Sequence, residues 1–155
     1  MAENKYYGLY QGVVTNIKDP EKRGRIKVKC PEVLGAETES AWCDPLVPIA
    51  YDNGGDFCLP AKNEMVWLQF IAGDANKPVY LGGWWQEKMT PLGNTYTKLD
   101  NTRIISYKDF SIVIHKNEVT ISNNKGSNKI KMSDSGILIE SDKDITIKGK
   151  TINLN

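Results

Sequence analysis

Histidine is nearly missing from this chain of 155 residues, and cysteine, tryptophan and proline give out early: the only histidine is His115, the last tryptophan is Trp85 and the last proline is Pro91. One histidine cannot furnish the paired imidazoles of ordinary zinc or iron sites. Cys30, Cys43 and Cys58 have no second Cys or His two to four positions away, so their spacing fits no zinc motif. No metal and no cofactor are therefore expected, and the thiols read as small buried apolar groups of a reducing compartment. A Cys–His nucleophile pair has no local support, and no serine or cysteine motif or pair of carboxylates assembles a catalytic set. The chain is not expected to be an enzyme. Long apolar runs are missing too, with nothing near the roughly 20 residues of a membrane-spanning helix. Met1-Ala2-Glu3-Asn4-Lys5 leads into no signal-peptide core, which implies synthesis in the cytoplasm without general secretory export. Finally, no sign of charge dominates: 20 Lys+Arg face 19 Asp+Glu for a net +1. That balance lacks the basic footprint of a protein held to nucleic acid by phosphate contacts, and no nucleic-acid partner is expected.

What is present falls into two halves of different pattern. From Tyr6 to Trp85 the apolar residues form short runs broken every 8 to 14 residues by turn chemistry, with no sustained helical period. The runs are Tyr7 to Ile17, Ile26-Val28-Cys30 alternating with Lys27 and Lys29, Leu46 to Ala50, Val66-Leu68-Phe70, and Val79-Tyr80-Leu81. Five strands suit an OB-type barrel, whose closure removes exposed edges. The breaks have mechanisms: Asp19-Pro20 opens a turn that Gly24 can close, Asn53-Gly54-Gly55 supplies positive φ, and Gly73 to Pro78 joins the last two strands as a hairpin. Trp42, Trp67 and Phe70 read as packing groups rather than base-stacking platforms. The basic cluster Lys22, Arg23, Arg25, Lys27 and Lys29 adjoins Asp19 and Glu21 and suits the solvent face of a strand.

At these residues a resemblance becomes specific. Gly12-Val13-Val14, Asp19-Pro20 with Arg23-Gly24-Arg25-Ile26-Lys27-Val28, Trp42, Gly54-Gly55 with Pro60, Asn63 to Trp67, Phe70, Gly73-Asp74, Pro78 and Gly82 follow in one order. Together they resemble the OB domain of the central spike proteins of contractile injection machines, namely phage baseplates, tailocins and the type VI secretion spike. The resemblance covers residues 6 to 85. An OB-fold protein that binds single-stranded nucleic acid is the alternative by fold, and the near-neutral barrel speaks against it.

The second half is a repeat. Apolar doublets recur as Ile112/Ile114, Val119/Ile121, Ile130/Met132, Ile137/Ile139, Ile145/Ile147 and Ile152/Leu154, with steps of 7, 11, 7, 8 and 7 residues. The long step holds the polar loop Ser122 to Asn128. Period-2 alternation puts both members of a doublet on one face, with Thr120, Lys131, Thr146 and Asn153 on the other. One chain offers a narrow apolar ribbon, and burying it within that chain would not offset the entropy of ordering its backbone. A single-chain β-solenoid or small sandwich is one way to cover it. Three copies wound about one axis would cover every doublet, and this is what the resemblance implies: in the spike family the OB domain precedes a trimeric β-helix.

The expected fold is therefore all-β, with a five-stranded OB-type barrel at 1–88, a linker at 89–106 containing Thr90-Pro91-Leu92-Gly93-Asn94, and an intertwined trimeric β-helix, or prism, at 107–155. The six doublets are its expected trimer core. His115 falls on the outward face, and the His-x-His pair that binds iron in some spike tips is missing. By resemblance the partners are two further copies of the chain, a separate baseplate hub protein at the barrel end, and a conical tip protein over the apolar end Thr151 to Asn155. No lysozyme domain fits between the halves, so no peptidoglycan hydrolysis is expected. The implied role is a structural spike of a virion or tailocin baseplate, driven through a target cell envelope by sheath contraction.

Overall fold

The period-2 runs of the first half become strands whose alternate residues face one interior. The computed structural model describes residues 4–87, 89, 100–123 and 128–153. The chain divides into two compact units, Met1–Lys88 and Met89–Asn155. Its regular elements, among the described residues, are β-strands apart from two single helical turns.

The first unit runs β1 (Tyr10–Asn16), β2 (Lys27–Lys29), α1 (Pro31–Leu34), β3 (Asp44–Pro45), β4 (Ala50–Tyr51), β5 (Gly54–Gly55), β6 (Met65–Phe70), a 3-10 turn at Ile71–Gly73, and β7 (Pro78–Gly83). Five of these strands form a curled sheet in the order β2-β1-β6-β7-β3. All neighbours are antiparallel except β3 and β7, which run parallel. The stretch leading into β3 also reaches the opposite edge, through the bridges Lys29↔Glu39 and Ile26↔Cys43. Residues 39–45 thus touch β2 on one side and β7 on the other, and the sheet closes on itself in OB fashion. Register shifts in β1 between Val14 and Asn16, and between β6 and β7 at Trp67/Leu68, bend the strands as closure requires.

Val14, Ile26, Val28, Cys30, Cys43, Val66, Leu68 and Tyr80 fill the interior, with Phe70 also buried. Burying a side chain the size of Leu68 contributes about 1.5–3 kcal/mol. Tyr80, whose ring lies in this core, donates its buried hydroxyl to the Gly24 carbonyl at 2.8 Å, so the polar tip is satisfied. Gly24 has φ +76°, and the Phe57 ring lies where a side chain would stand.

Two features of this unit differ from the sequence expectation. The third barrel strand lies at 39–45 and not at Leu46 to Ala50, whose end forms the small β4–β5 hairpin instead. The single turn α1, with Pro31 at its start and Gly35 after it, is too short to show a helical period.

The second unit is one antiparallel meander of β8 (Thr102–Tyr107), β9 (Phe110–His115), β10 (Glu118–Asn123), β11 (Lys129–Ser133) and β12 (Gly136–Glu140), in the order β12-β11-β10-β9-β8. Its tight turns leave two residues between strands, and the first of these, Lys108 and Lys116, take left-handed φ of 52° and 49°. Here too the structure departs from the expectation. Residues Thr102–Tyr107, assigned by their sequence largely to the linker, form a strand paired along its whole length with β9. Ile145, Ile147 and Ile152, expected on strands, belong to none in the single chain. The linker turn Thr90 to Asn94 and Leu154 lie outside the described residues, as do residues 124–127 of the loop between β10 and β11.

Candidate assembly surface

The register of the meander decides which side chains share a face. Pairings Ile105↔Ile112, Ile112↔Ile121, Ile121↔Ile130 and Ile130↔Ile139 line up one isoleucine from each of the five strands in a single row. A second row on the same face runs Arg103, Ile114, Val119, Met132 and Ile137, and Tyr107 pairs with Phe110 beyond the first. All four doublets from Ile112 to Ile139 therefore lie on one side of one sheet. Among the described residues no strand or helix packs on that side, and Asp144 and Ile145 line only a groove beside Ile121, Ile130 and Ile139: the five isoleucines of the first row are between 37% and 53% exposed. Among the described residues of this unit only Ser111 is buried. Contiguous apolar area of this extent marks an interaction surface.

Four residues of this face were not among the expected core: Arg103, Ile105, Tyr107 and Phe110. The Ile105 alternation was the available signal, and Arg103 at the partner position hid the doublet. Ile145, Ile147 and Ile152 stand exposed after β12, and Leu154 is outside the described residues.

The opposite face mixes Ile104, Val113 and Leu138 with polar groups that pair with one another. Thr102 Oγ1 lies 2.6 Å from His115 Nδ1, Ser111 and Ser122 share a hydrogen bond of 3.1 Å, and Lys129 pairs with Glu140 at 2.7 Å. Lys131 pairs with Glu118 and, as the main influence, holds that carboxyl below its ordinary range. His115 thus stands on the face away from the isoleucines. The charged groups of β10, β11 and β12 gather on this side, away from the isoleucine row.

In the barrel, four cations of the basic cluster, Arg23, Arg25, Lys27 and Lys29, each meet a carboxylate. Asp19 accepts the backbone N–H groups of Glu21 at 3.0 Å and Arg23 at 2.8 Å. It also takes the Arg25 guanidinium at 3.1 Å through Nε and 2.7 Å through Nη2. The Arg25 hydrogen bonds, with the backbone donors adding to them, hold the Asp19 carboxyl far below the usual range. Arg23 reaches Asp44 at 3.1 Å, Lys27 reaches Glu39 at 3.1 Å and Lys29 reaches Glu37 at 3.3 Å. Glu39 is held low first by the Thr15 hydroxyl and then by Lys27. Phosphates would have to displace these carboxylates.

Trp42, Trp67 and Phe70 are likewise engaged. Arg25 and Lys27 lie 5.7 and 5.4 Å from the Trp42 ring centroid. Trp67 packs against Trp84 at 5.9 Å, and Phe70 sits between Tyr6 and Tyr10. Cys30 and Cys43 are buried as expected of apolar thiols, and burial pushes the Cys43 thiol up to about 11. Cys58 departs from that expectation and is exposed on the loop after β5. No group of three His, Cys, Asp or Glu side chains able to hold a metal ion occurs among the described residues.

No curated protein matches the chain. Residues 10–85, just under half of the chain, match the family model of the type VI secretion system/phage-baseplate injector OB domain. The matched stretch spans the curled sheet from β1 to the end of β7, so the first unit is similar to the injector OB domains and supports, at a coarse level, a baseplate spike family.

Proposed function

We propose that the protein is the structural spike of a contractile injection machine, a homotrimer in a virion or tailocin baseplate. Three copies of the second unit turn their isoleucine faces toward a common axis as an intertwined β-helix. The barrels seat on a separate hub protein, and a conical tip protein caps the C-terminal end. Sheath contraction then drives the needle through the envelope of a target cell.

The observation that carries this reading is the row Ile105, Ile112, Ile121, Ile130 and Ile139, exposed on one sheet face in a chain whose other half matches an injector OB domain. Burial of such a face between identical copies supplies the core that one chain lacks. A needle built this way resists force because no strand can leave without opening both the apolar core and the backbone ladder. Its work is mechanical, with no catalytic group or cofactor. The matched charges of the barrel support a structural role over nucleic-acid binding.

Multi-angle light scattering on the purified full chain tests the reading. A mass three times that of one chain is expected, and a monomer at micromolar concentration overturns it.

A further inference from the structure

The barrel closes along a short seam. Strand β3 pairs with β7 only at Asp44↔Val79 and Pro45↔Tyr80, and the Leu46 N–H adds one hydrogen bond to the Tyr80 carbonyl at 2.9 Å. The chain then leaves toward β4, while β7 continues to Gly83. Gly82 and Gly83 pair with Trp67 and Val66 of β6 on one side. Among the described residues, no strand faces 81–83 on the other side. The gap is a cleft of about 430 Å³, lined by Leu46, Val47 and Pro48 from one flank of the seam and by Leu81, Gly82 and Gly83 from the other. Gly82, at φ +139°, has no atom within 4 Å of where a β-carbon would stand. A second backbone can therefore come close to β7 there.

The cleft also has a charge of one sign. Asp56 and Glu64 line it, and no lysine or arginine does. Among the described residues neither carboxylate has an ion-pair partner, whereas Asp19, Glu21, Glu37, Glu39, Asp44 and Asp74 of the same unit all do. An open strand edge, apolar side chains and two uncompensated negative charges thus meet in one place.

We propose that the seam receives an extended segment of another protein, with apolar and basic side chains in alternation, added as a strand to residues 81–83. Backbone hydrogen bonds to the open edge supply the attraction, as in other strand additions. Alternation lets one set of side chains cover Leu46, Val47 and Leu81 while the other meets Asp56 and Glu64. The occupant is a different protein because the chain's own runs of this pattern, Ile26–Lys29 and Lys129–Met132, already stand in sheets at β2 and β11. Three residues of edge take about 10 Å of strand, so the contact is short. The inference stands on the barrel alone and neither needs nor predicts a trimer.

Cys58 lines the same cleft with its thiol exposed, which supplies a reporter on the unaltered full chain. The probe is an octapeptide of alternating valine and lysine, and the readout is the rate at which iodoacetamide, an uncharged reagent, alkylates Cys58. With a Kd of about 100 μM, about 1 mM peptide should slow alkylation about tenfold. The same peptide N-methylated at every residue keeps the charge and loses every backbone donor, and it should not protect. An analogue with glutamate in place of lysine should not protect either. In the double variant Asp56→Asn with Glu64→Gln, the Kd for the valine–lysine peptide should rise about tenfold. The melting temperature of that variant should stay unchanged, since both side chains are exposed and unpaired. No protection of Cys58 overturns the proposal. Equal protection by the N-methylated peptide overturns the strand addition, and equal protection by the glutamate analogue, or an unchanged Kd in the double variant, overturns the basic partner.

Discussion

The Arg25 guanidinium meets the Asp19 carboxylate at 2.7 Å, with the two side chains 11% and 4% exposed, and this pair fixes the turn that leads into β2. The folded-state carboxyl titrates far below an unfolded aspartate, whose pKa is about 3.9. A depressed carboxyl stabilises the fold fully above the unfolded value, and that contribution is lost as pH falls through the acid range. The Asp19→Asn variant is expected to melt lower than the unchanged protein at pH 7. The gap should close progressively below about pH 4. Thermal melts across pH 2 to 7 check this, and a gap independent of pH refutes it.

Gly12 allows β1 to lie against the barrel core. A β-carbon there would stand 2.6 Å from Leu68 Cδ1 and 3.4 Å from Val28 Cβ. Because Leu68 and Val28 are fully buried, neither can move aside freely. Gly12→Ala should destabilise the barrel by about 1–3 kcal/mol, read as a lower midpoint in urea with unchanged slope.

The three thiols should separate by reactivity. Cys58 is exposed, whereas Cys30 and Cys43 are buried and burial raises both. An aromatic disulfide reagent at neutral pH is expected to modify one thiol per native chain and all three in denaturant. Fast modification of two or more in the native protein would contradict the packing described for residues 26–43.

Ile121 stands in the middle of the isoleucine row, with Ile112 and Ile130 on either side. Ile121→Asp should reduce the light-scattering mass to that of a single chain, since three carboxylates would otherwise meet in a dry core. Lys131→Gln, on the opposite face, should leave the mass unchanged. Equal masses for both variants would remove the isoleucine face from the interface.

What the sequence made legible follows from where alternation survives. Ile26-Val28-Cys30 and Val66-Leu68-Phe70 are buried without exception because each strand has one face on the core. The doublets from Ile112 to Ile139 share a face for the same reason of period. The third barrel strand escaped because Glu39 to Pro45 meets one edge by isolated bridges and β7 over two residues only, and carries no apolar alternation. Strand β8 escaped because Arg103 replaces one member of its doublet. Ile145-Thr146-Ile147 carries the pattern without the strand, since a pattern specifies a face and only a neighbour supplies the hydrogen bonds.

Arg23, Arg25, Lys27 and Lys29 sit 2.7 to 3.3 Å from carboxylates, so this side of the barrel is a set of tight dipoles whose fields cancel at short range. Beyond a Debye length, about 8 Å in physiological salt, an approaching macromolecule meets almost no potential there. Encounter at that side is unsteered, proceeding at the neutral rate of about 10⁵–10⁶ M⁻¹ s⁻¹ whatever the ionic strength. Matching of shape, rather than attraction from afar, then selects what docks on it, and dilution or brine changes the rate of docking very little.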